Sequence, residues 1–191
     1  MDLDESKAQL RSQLKALRVE MPDQERQQAD RRIAEMVRAS DAYRKADVLC
    51  AYVSFGCEVD TLRIIENAWL DGKVVCSPRC VSGSRAMEWY AYQDFNHFAR
   101  SPFGVLEPDP SVLTQVCGFD SSAVALVPGL TFDYEGYRLG YGGGFYDYFL
   151  EKFPGVSMGL CRQRFYDCFL IPKGPYDRPV DEVITDDCGI V

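Results

Sequence analysis

Apolar positions recur along this chain with two periods. Over residues 5–20, Leu10, Leu14 and Leu17 fall on one helical face, and over 22–38 Ala29, Ile33 and Met36 or Val37 do the same, so two amphipathic helices open the chain. The pattern then changes. Asp47 to Val53, Lys73 to Cys76, Met87 to Tyr92, Ala123 to Val127, Val156 to Leu160 and Val183 to Thr185 are short, mostly apolar runs of strand length. Between the first two, Leu62, Ile65 and Trp69 share one face of a helix that Asp60 or Thr61 can cap and Asp71-Gly72 can end. Strand, helix and strand within about 30 residues form a βαβ unit, which implies parallel pairing. A last helix is expected over Phe145 to Phe153, and Phe95 to Phe103 reads as an aromatic loop or short helix. With no internal repeat or low-complexity tract, the expectation is one α/β domain over residues 1–191: three layers, a mainly parallel sheet, and N-terminal helices (1–40) packed on it.

Composition narrows the partners. At 191 residues, 47% apolar and 13% aromatic, the chain can bury a core of its own. Its net charge of −8 repels nucleic acid and anionic membrane on average, so small molecules are the expected ligands and a monomer or weak homo-oligomer the expected state. Eight cysteines include no Cys-x-x-Cys pair, and Cys76 and Cys80 lack a His or Cys partner set, which points to buried free thiols in a reducing, cytoplasmic setting. The N-terminus lacks the basic start and apolar core of a signal peptide, and no apolar run approaches the ~20 residues that span a bilayer. His97 is the single histidine, which argues against Ser-His-Asp and Cys-His chemistry and against His-rich metal sites.

Candidate chemistry gathers in one stretch. The run Ala123 to Val127 ends at Pro128-Gly129, and Gly136, Arg138, Gly140, Gly142, Gly143 and Gly144 follow before the chain enters its next helix. A Walker loop would need Lys-Ser/Thr after the glycines, and a dinucleotide fingerprint would need another spacing after the first strand. The remaining reading is a phosphate nest: glycine N–H groups, the fork of Arg138 and a helix N-terminus, with Asp147 one turn into the helix in reach of a Mg²⁺. The competing reading is that the glycines serve tight strand-to-helix packing and that Asp147 only favours a helix start. Elsewhere, Lys7, Arg11, Lys15 and Arg18 line one face of the first helix, either as a solvated face or as phosphate ligands. Glu58 leaves the first strand at its carboxyl end, where open α/β sheets bind ligands, although such a residue is also a common cap or surface group.

The run from Val127 to Asp133, continued by Gly136 to Asp147, resembles the signature of the 5-formyltetrahydrofolate cyclo-ligase family. Lys7-x-x-x-Arg11, Glu58 to Thr61, Pro78-Arg79, Phe103-Gly104, Glu107-Pro108 and Val180 to Val183 are similar to family landmarks in the family order. The resemblance implies a Rossmann-like fold of the sugar-isomerase and CoA-transferase type. It implies a reaction that converts 5-formyltetrahydrofolate to 5,10-methenyltetrahydrofolate with ATP and Mg²⁺, with Arg138 and Asp147 as the catalytic pair. It also implies ATP on Lys7, Arg11, Arg138 and residues Gly140, Tyr141, Gly142, Gly143, Gly144, Phe145 and Tyr146. The folate is implied on Val53, Glu58 and the shared turn Tyr141 to Phe145, and the metal on Asp147 and Asp181. Phe145 and Tyr148 depart from the residues common at their positions in the family. A folate or nucleotide sensor without turnover, and an α/β enzyme acting on a phosphorylated sugar, are the alternatives. The first would release no ADP, and the second would ignore ATP.

Overall fold

The computed structural model describes residues 3–101, 104–166, 171–187 and 189–190. Its helices are α1 (Leu3–Glu20), α2 (Asp23–Ala39), α3 (Asp41–Lys45), α4 (Leu62–Leu70) and α5 (Phe145–Leu150). Its strands are β1 (Val48–Cys50), β2 (Val74–Cys80), β3 (Met87–Tyr92), β4 (Phe98–Arg100), β5 (Leu106–Pro108), β6 (Thr114–Val116), β7 (Ala123–Val127), β8 (Thr131–Phe132), β9 (Arg138–Leu139), β10 (Val156–Leu160), β11 (Glu182–Thr185) and β12 (Gly189–Ile190).

Eight strands form one sheet in the order β12-β11-β10-β7-β1-β2-β3-β6. The five from β11 to β2 are mutually parallel, and β12, β3 and β6 add antiparallel edges. Numbered among themselves in chain order, the parallel strands run 2-1-3-4-5, so the order reverses between β1 and β7. A crevice opens at the carboxyl ends of strands at such a reversal.

The alternation of side chains across the strands separates two cores. Leu49 of β1 and Ala51 just after it, Val124 and Leu126 of β7, and Met158 and Leu160 of β10 face Ile33 and Val37 of α2 and Ile64, Ile65 and Ala68 of α4. The opposite face carries Cys50, Cys76 and Ala125 under Trp89, Phe149 and Phe153, and Val127 under Phe132 of the β8–β9 ribbon. The expected three layers are present.

Two helices match the expected faces only in part: Leu14 on α1 and Ile65 and Trp69 on α4 pack on the core, but Leu17 and Leu62 do not. On α1 the buried residues are Lys7 and Arg18, while Arg11 is half-buried, Lys15 exposed and Leu17 45% exposed, so the two ends of the basic stripe turn inward. On α4 the buried set is Ile64, Ile65 and Ala68, while Leu62 stays exposed. α5 ends at Leu150, three residues before the expected limit, and its macrodipole is correspondingly short. Part of the Phe95–Phe103 segment is strand β4, and Phe103 lies outside the described residues. Among the described residues Cys50, Cys57, Cys76, Cys80, Cys117 and Cys161 are free thiols. Cys80 and Cys117 are exposed, so burial does not extend to all of them, and Cys168 and Cys188 lie outside the described residues. No helix among the described residues is long and apolar enough to cross a membrane.

Candidate active site

A cleft of about 1550 Å³ opens at the carboxyl ends of β1, β2 and β7. Pockets for one drug-sized ligand hold about 300–1000 Å³, so this cleft has room for two small molecules side by side. Eight lysines and arginines and six aspartates and glutamates line it, whereas the whole chain carries 21 and 29. The local balance is therefore positive in an acidic protein, as a site for anions requires.

The glycine stretch forms one wall. After β7 the chain passes Pro128-Gly129, makes the β8–β9 ribbon, and returns through Gly140 to Gly144 into α5. Gly142 has φ +106° and Gly144 φ +70°, conformations that side chains rarely adopt, so the sharp bend depends on glycine. At Gly140 a Cβ would meet nothing within 4 Å, so packing does not account for that glycine, and the empty space belongs to the cleft.

Arg138, on β9, is buried beneath this turn. Its guanidinium donates to Asp147 Oδ1 at 2.9 Å and to the Arg178 carbonyl at 2.8 Å. Burial lowers its pKa, and the field of Asp147 opposes that shift. Asp147 also accepts the Arg178 N–H at 3.1 Å on Oδ1, while Oδ2 has no hydrogen bond among the described residues. The α1 stripe closes the same wall. Arg11 donates through Nε to the Gly140 carbonyl at 2.9 Å, Lys7 pairs with Asp177, and Lys15 sits 5.6 Å from the Tyr141 ring centroid. Arg18 serves a different purpose: it donates to the carbonyls of Gly129 and Leu130 at 2.7 and 2.9 Å and to Cys57 at 3.3 Å, joining α1 to two loops.

The opposite wall follows β1. Val53 is buried along the cleft, and Glu58 lies half-buried in a turn closed by its own N–H to the Phe55 carbonyl and by the Phe55 N–H to its Oε2 at 2.8 Å. Burial raises the Glu58 pKa, against the lowering effects of the Phe55 N–H, the Tyr141 hydroxyl and Arg18. Tyr146 faces the cleft with a buried hydroxyl that has no partner among the described residues. An unsatisfied buried hydroxyl costs about 1–3 kcal/mol, which a ligand group can relieve.

Lys7, Arg11, Val53, Glu58, Arg138, Asp147 and Gly140 to Tyr146 therefore meet in one cleft, as the sequence reading requires. Asp181 does not join them. It precedes β11, level with Ser157 at the amino ends of β10 and β11, and its Oδ2 accepts from the Ser157 N–H and hydroxyl at 2.8 and 2.6 Å. The cleft opens at the other ends of the strands, so Asp181 clips two strands together and does not face Asp147. The second carboxylate on that wall is Asp177, which sequence reasoning missed. Burial works against its charge, but Lys7, the Gly174 N–H and Arg138 together hold its carboxyl below the ordinary range. The signal was the Gly174-Pro175-Tyr176-Asp177-Arg178-Pro179 run, a turn composition carrying a charge pair. No group of three or more His, Cys, Asp or Glu residues able to hold a metal occurs among the described residues. The fit to Mg²⁺ rests on Oδ2 of Asp147 with Asp177 near it, enough for an ion that takes most of its ligands from water and phosphate.

Fold and cleft define an open-sheet α/β protein with a cation-rich crevice, large enough for two small molecules, at its strand reversal. Residues 3–186 match the profile of the 5-formyltetrahydrofolate cyclo-ligase family. A probable 5-formyltetrahydrofolate cyclo-ligase of Caenorhabditis elegans is 30% identical, over 96% of this chain and 94% of its own. The 5-formyltetrahydrofolate cyclo-ligase of Mycolicibacterium smegmatis is also 30% identical, over 97% and 96%. The solved structure of the 5,10-methenyltetrahydrofolate synthetase of Aquifex aeolicus superposes with a TM-score of 0.80 at 24% identity, over 96% of this chain and 91% of that one, a likeness of fold. The chain belongs to the 5-formyltetrahydrofolate cyclo-ligase family.

Proposed function

We propose that the protein is an ATP-dependent ligase that closes 5-formyltetrahydrofolate to 5,10-methenyltetrahydrofolate, releasing ADP and phosphate. The observation that carries this reading is the two-walled cleft: cations and a glycine turn on the β7 side, a raised carboxyl on the β1 side, and room for two ligands.

The chemistry accounts for the walls. A formamide oxygen is a very poor leaving group. Transfer of the γ-phosphoryl to it breaks the bond from phosphorus to the bridging oxygen of ADP and forms a bond to the formyl oxygen. N10 then attacks the activated carbon, loses its proton, and phosphate departs with that oxygen. Such a sequence demands alignment and charge neutralisation more than acid–base groups, which suits a cleft without histidine.

Arg138 neutralises the transferred phosphoryl, held in place by Asp147 and the Arg178 carbonyl. Lys7 and Arg11 supply charge from α1, and the N–H groups of Gly142 to Gly144 line the turn that holds the phosphate chain. Glu58 accepts adjacent N–H donors from the pterin edge. Asp147 and Asp177 hold Mg²⁺, which when bound neutralises charge on the phosphates.

Purified protein given 5-formyltetrahydrofolate and MgATP should form methenyltetrahydrofolate, followed by its near-ultraviolet absorbance, together with ADP. Omitting ATP or Mg²⁺ should abolish both signals. Binding without ADP release would make it a sensor, and indifference to ATP would remove the ligase reading.

A further inference from the structure

The turn that carries Glu58 is self-contained. Phe55 and Glu58 close it on each other, and Gly56 has φ +61° at its tip. Its base is fastened separately, where Ser54 and Thr61 exchange N–H and hydroxyl hydrogen bonds and Thr61 donates to the Tyr52 carbonyl at 2.6 Å. Between these lie the two carbonyls of Cys57 and Glu58, and both point at Arg162, just beyond β10 on another part of the sheet. Arg162 is fully buried. It donates to Cys57 O at 3.0 Å and Glu58 O at 2.7 Å, and its Nε and Nη2 form a two-pronged pair with Asp30 of α2 at 2.8 and 2.9 Å.

Arg162 places four N–H donors in these contacts and is not among the residues that line the cleft. Its planar fork fixes the position of both partners at once, which a lysine cannot do. We propose that Arg162, oriented by Asp30, is the positioning residue that sets where the Glu58 carboxylate stands in the cleft, and so determines the grip on the bicyclic amide edge of the acyl-folate without touching it. This inference rests on the folate reading of Glu58. Arg18 reinforces the arrangement through the same Cys57 carbonyl, but it also holds the Gly129 and Leu130 carbonyls and therefore would not separate the two walls.

The test uses Arg162→Lys and Asp30→Asn in the full chain. Wild type and both variants are compared for KM toward 5-formyltetrahydrofolate and toward ATP, and by hydrogen exchange of the segments 52–60 and 128–139. Displacement of the turn by about an ångström should raise KM for the folate about tenfold or more, while KM for ATP stays within about twofold. Exchange should quicken in 52–60, because the turn loses the anchor of its Cys57 and Glu58 carbonyls to the body, and stay unchanged in 128–139. A purely structural role would move both KM values together, or both segments, and would overturn the proposal. So would unchanged values in a folded Arg162→Lys. If that variant does not fold, Asp30→Asn decides by the same split, since it leaves both carbonyl contacts possible but removes the charge that orients the guanidinium. Wild type without turnover sinks the ligase reading alone; exchange in 52–60 then still decides this one.

Discussion

Replacing Arg138 by alanine separates catalysis from stability, because the structure fixes the size of each effect. The side chain is 4% exposed, and its removal leaves Asp147 without its cation and the Arg178 carbonyl without its donor. Breaking a fully buried pair costs about 3–5 kcal/mol. Asp147 is a quarter exposed and keeps the Arg178 N–H, so a cost nearer 2 kcal/mol is expected here. For a domain of this length that lowers Tm by roughly 4–8 °C, well short of unfolding. The catalytic loss is larger. A charge aimed at a developing oxyanion contributes about 3–4 kcal/mol, or two to three orders of magnitude in kcat. Arg138→Lys should recover part of the stability but little of the rate, since a single compact ammonium lacks the planar fork whose separate nitrogens reach the Asp147 carboxylate and the Arg178 carbonyl while still facing a phosphoryl group. Thermal unfolding and ADP release measured on the same preparation test both figures. A folded Arg138→Ala with turnover within about threefold of wild type would refute the assignment of the glycine wall.

Four further outcomes rest on the same geometry. The Glu58 carboxyl has a pKa raised above its ordinary value of 4.5, so its ionised, accepting form appears only as pH rises through that higher value; KM for the folate should fall over that interval, and Glu58→Gln should flatten the profile without a matching change for ATP. The sign for stability is the reverse: the native state holds this proton more tightly, so its contribution is fully present below the ordinary value of 4.5 and is lost as pH rises from there through the raised pKa, which Tm against pH in wild type and Glu58→Gln should show. Asp147→Asn and Asp177→Asn should raise the Mg²⁺ needed for half-maximal rate, whereas Asp181→Asn should lower Tm and leave the Mg²⁺ titration unchanged; a shifted titration in the last would return Asp181 to the metal. Gly140→Ala should fold like wild type but bind ATP less well, while Gly142→Ala should also lose about 1–2 kcal/mol to its positive φ, a contrast read by comparing Tm with KM.

The sheet was legible where strands are buried on both faces. Ala123–Val127 is a continuous apolar run and Val156–Leu160 a mostly apolar one, and the structure begins and ends both where composition does. Two-residue strands such as β8 and β9 carry no period to read. The first helix shows why a pattern can mislead: Leu10, Leu14 and Leu17 make the better apolar stripe, yet Lys7 and Arg18 are buried because carbonyls and a carboxylate await them. That information lies in loops more than a hundred residues away. The metal pair fails for a plainer reason. Asp181 sits just ahead of a strand, at the amino end, and the rule that places ligands at carboxyl ends already disfavoured it. Arg162 gave no signal at all, since a lone arginine after a strand looks like any surface cation until Asp30 and two carbonyls surround it.

The inward-turned ends of the α1 basic stripe have a practical consequence for handling the protein. Leu3 and Asp4, at the very start of the helix, lie on the rim of the cleft. An affinity tag fused ahead of them would trail a flexible polymer beside the site, and a polyhistidine tag would bring its own metal affinity to a Mg²⁺ titration. Apparent metal requirements measured on protein tagged ahead of α1 should therefore be compared with the same chain after tag removal.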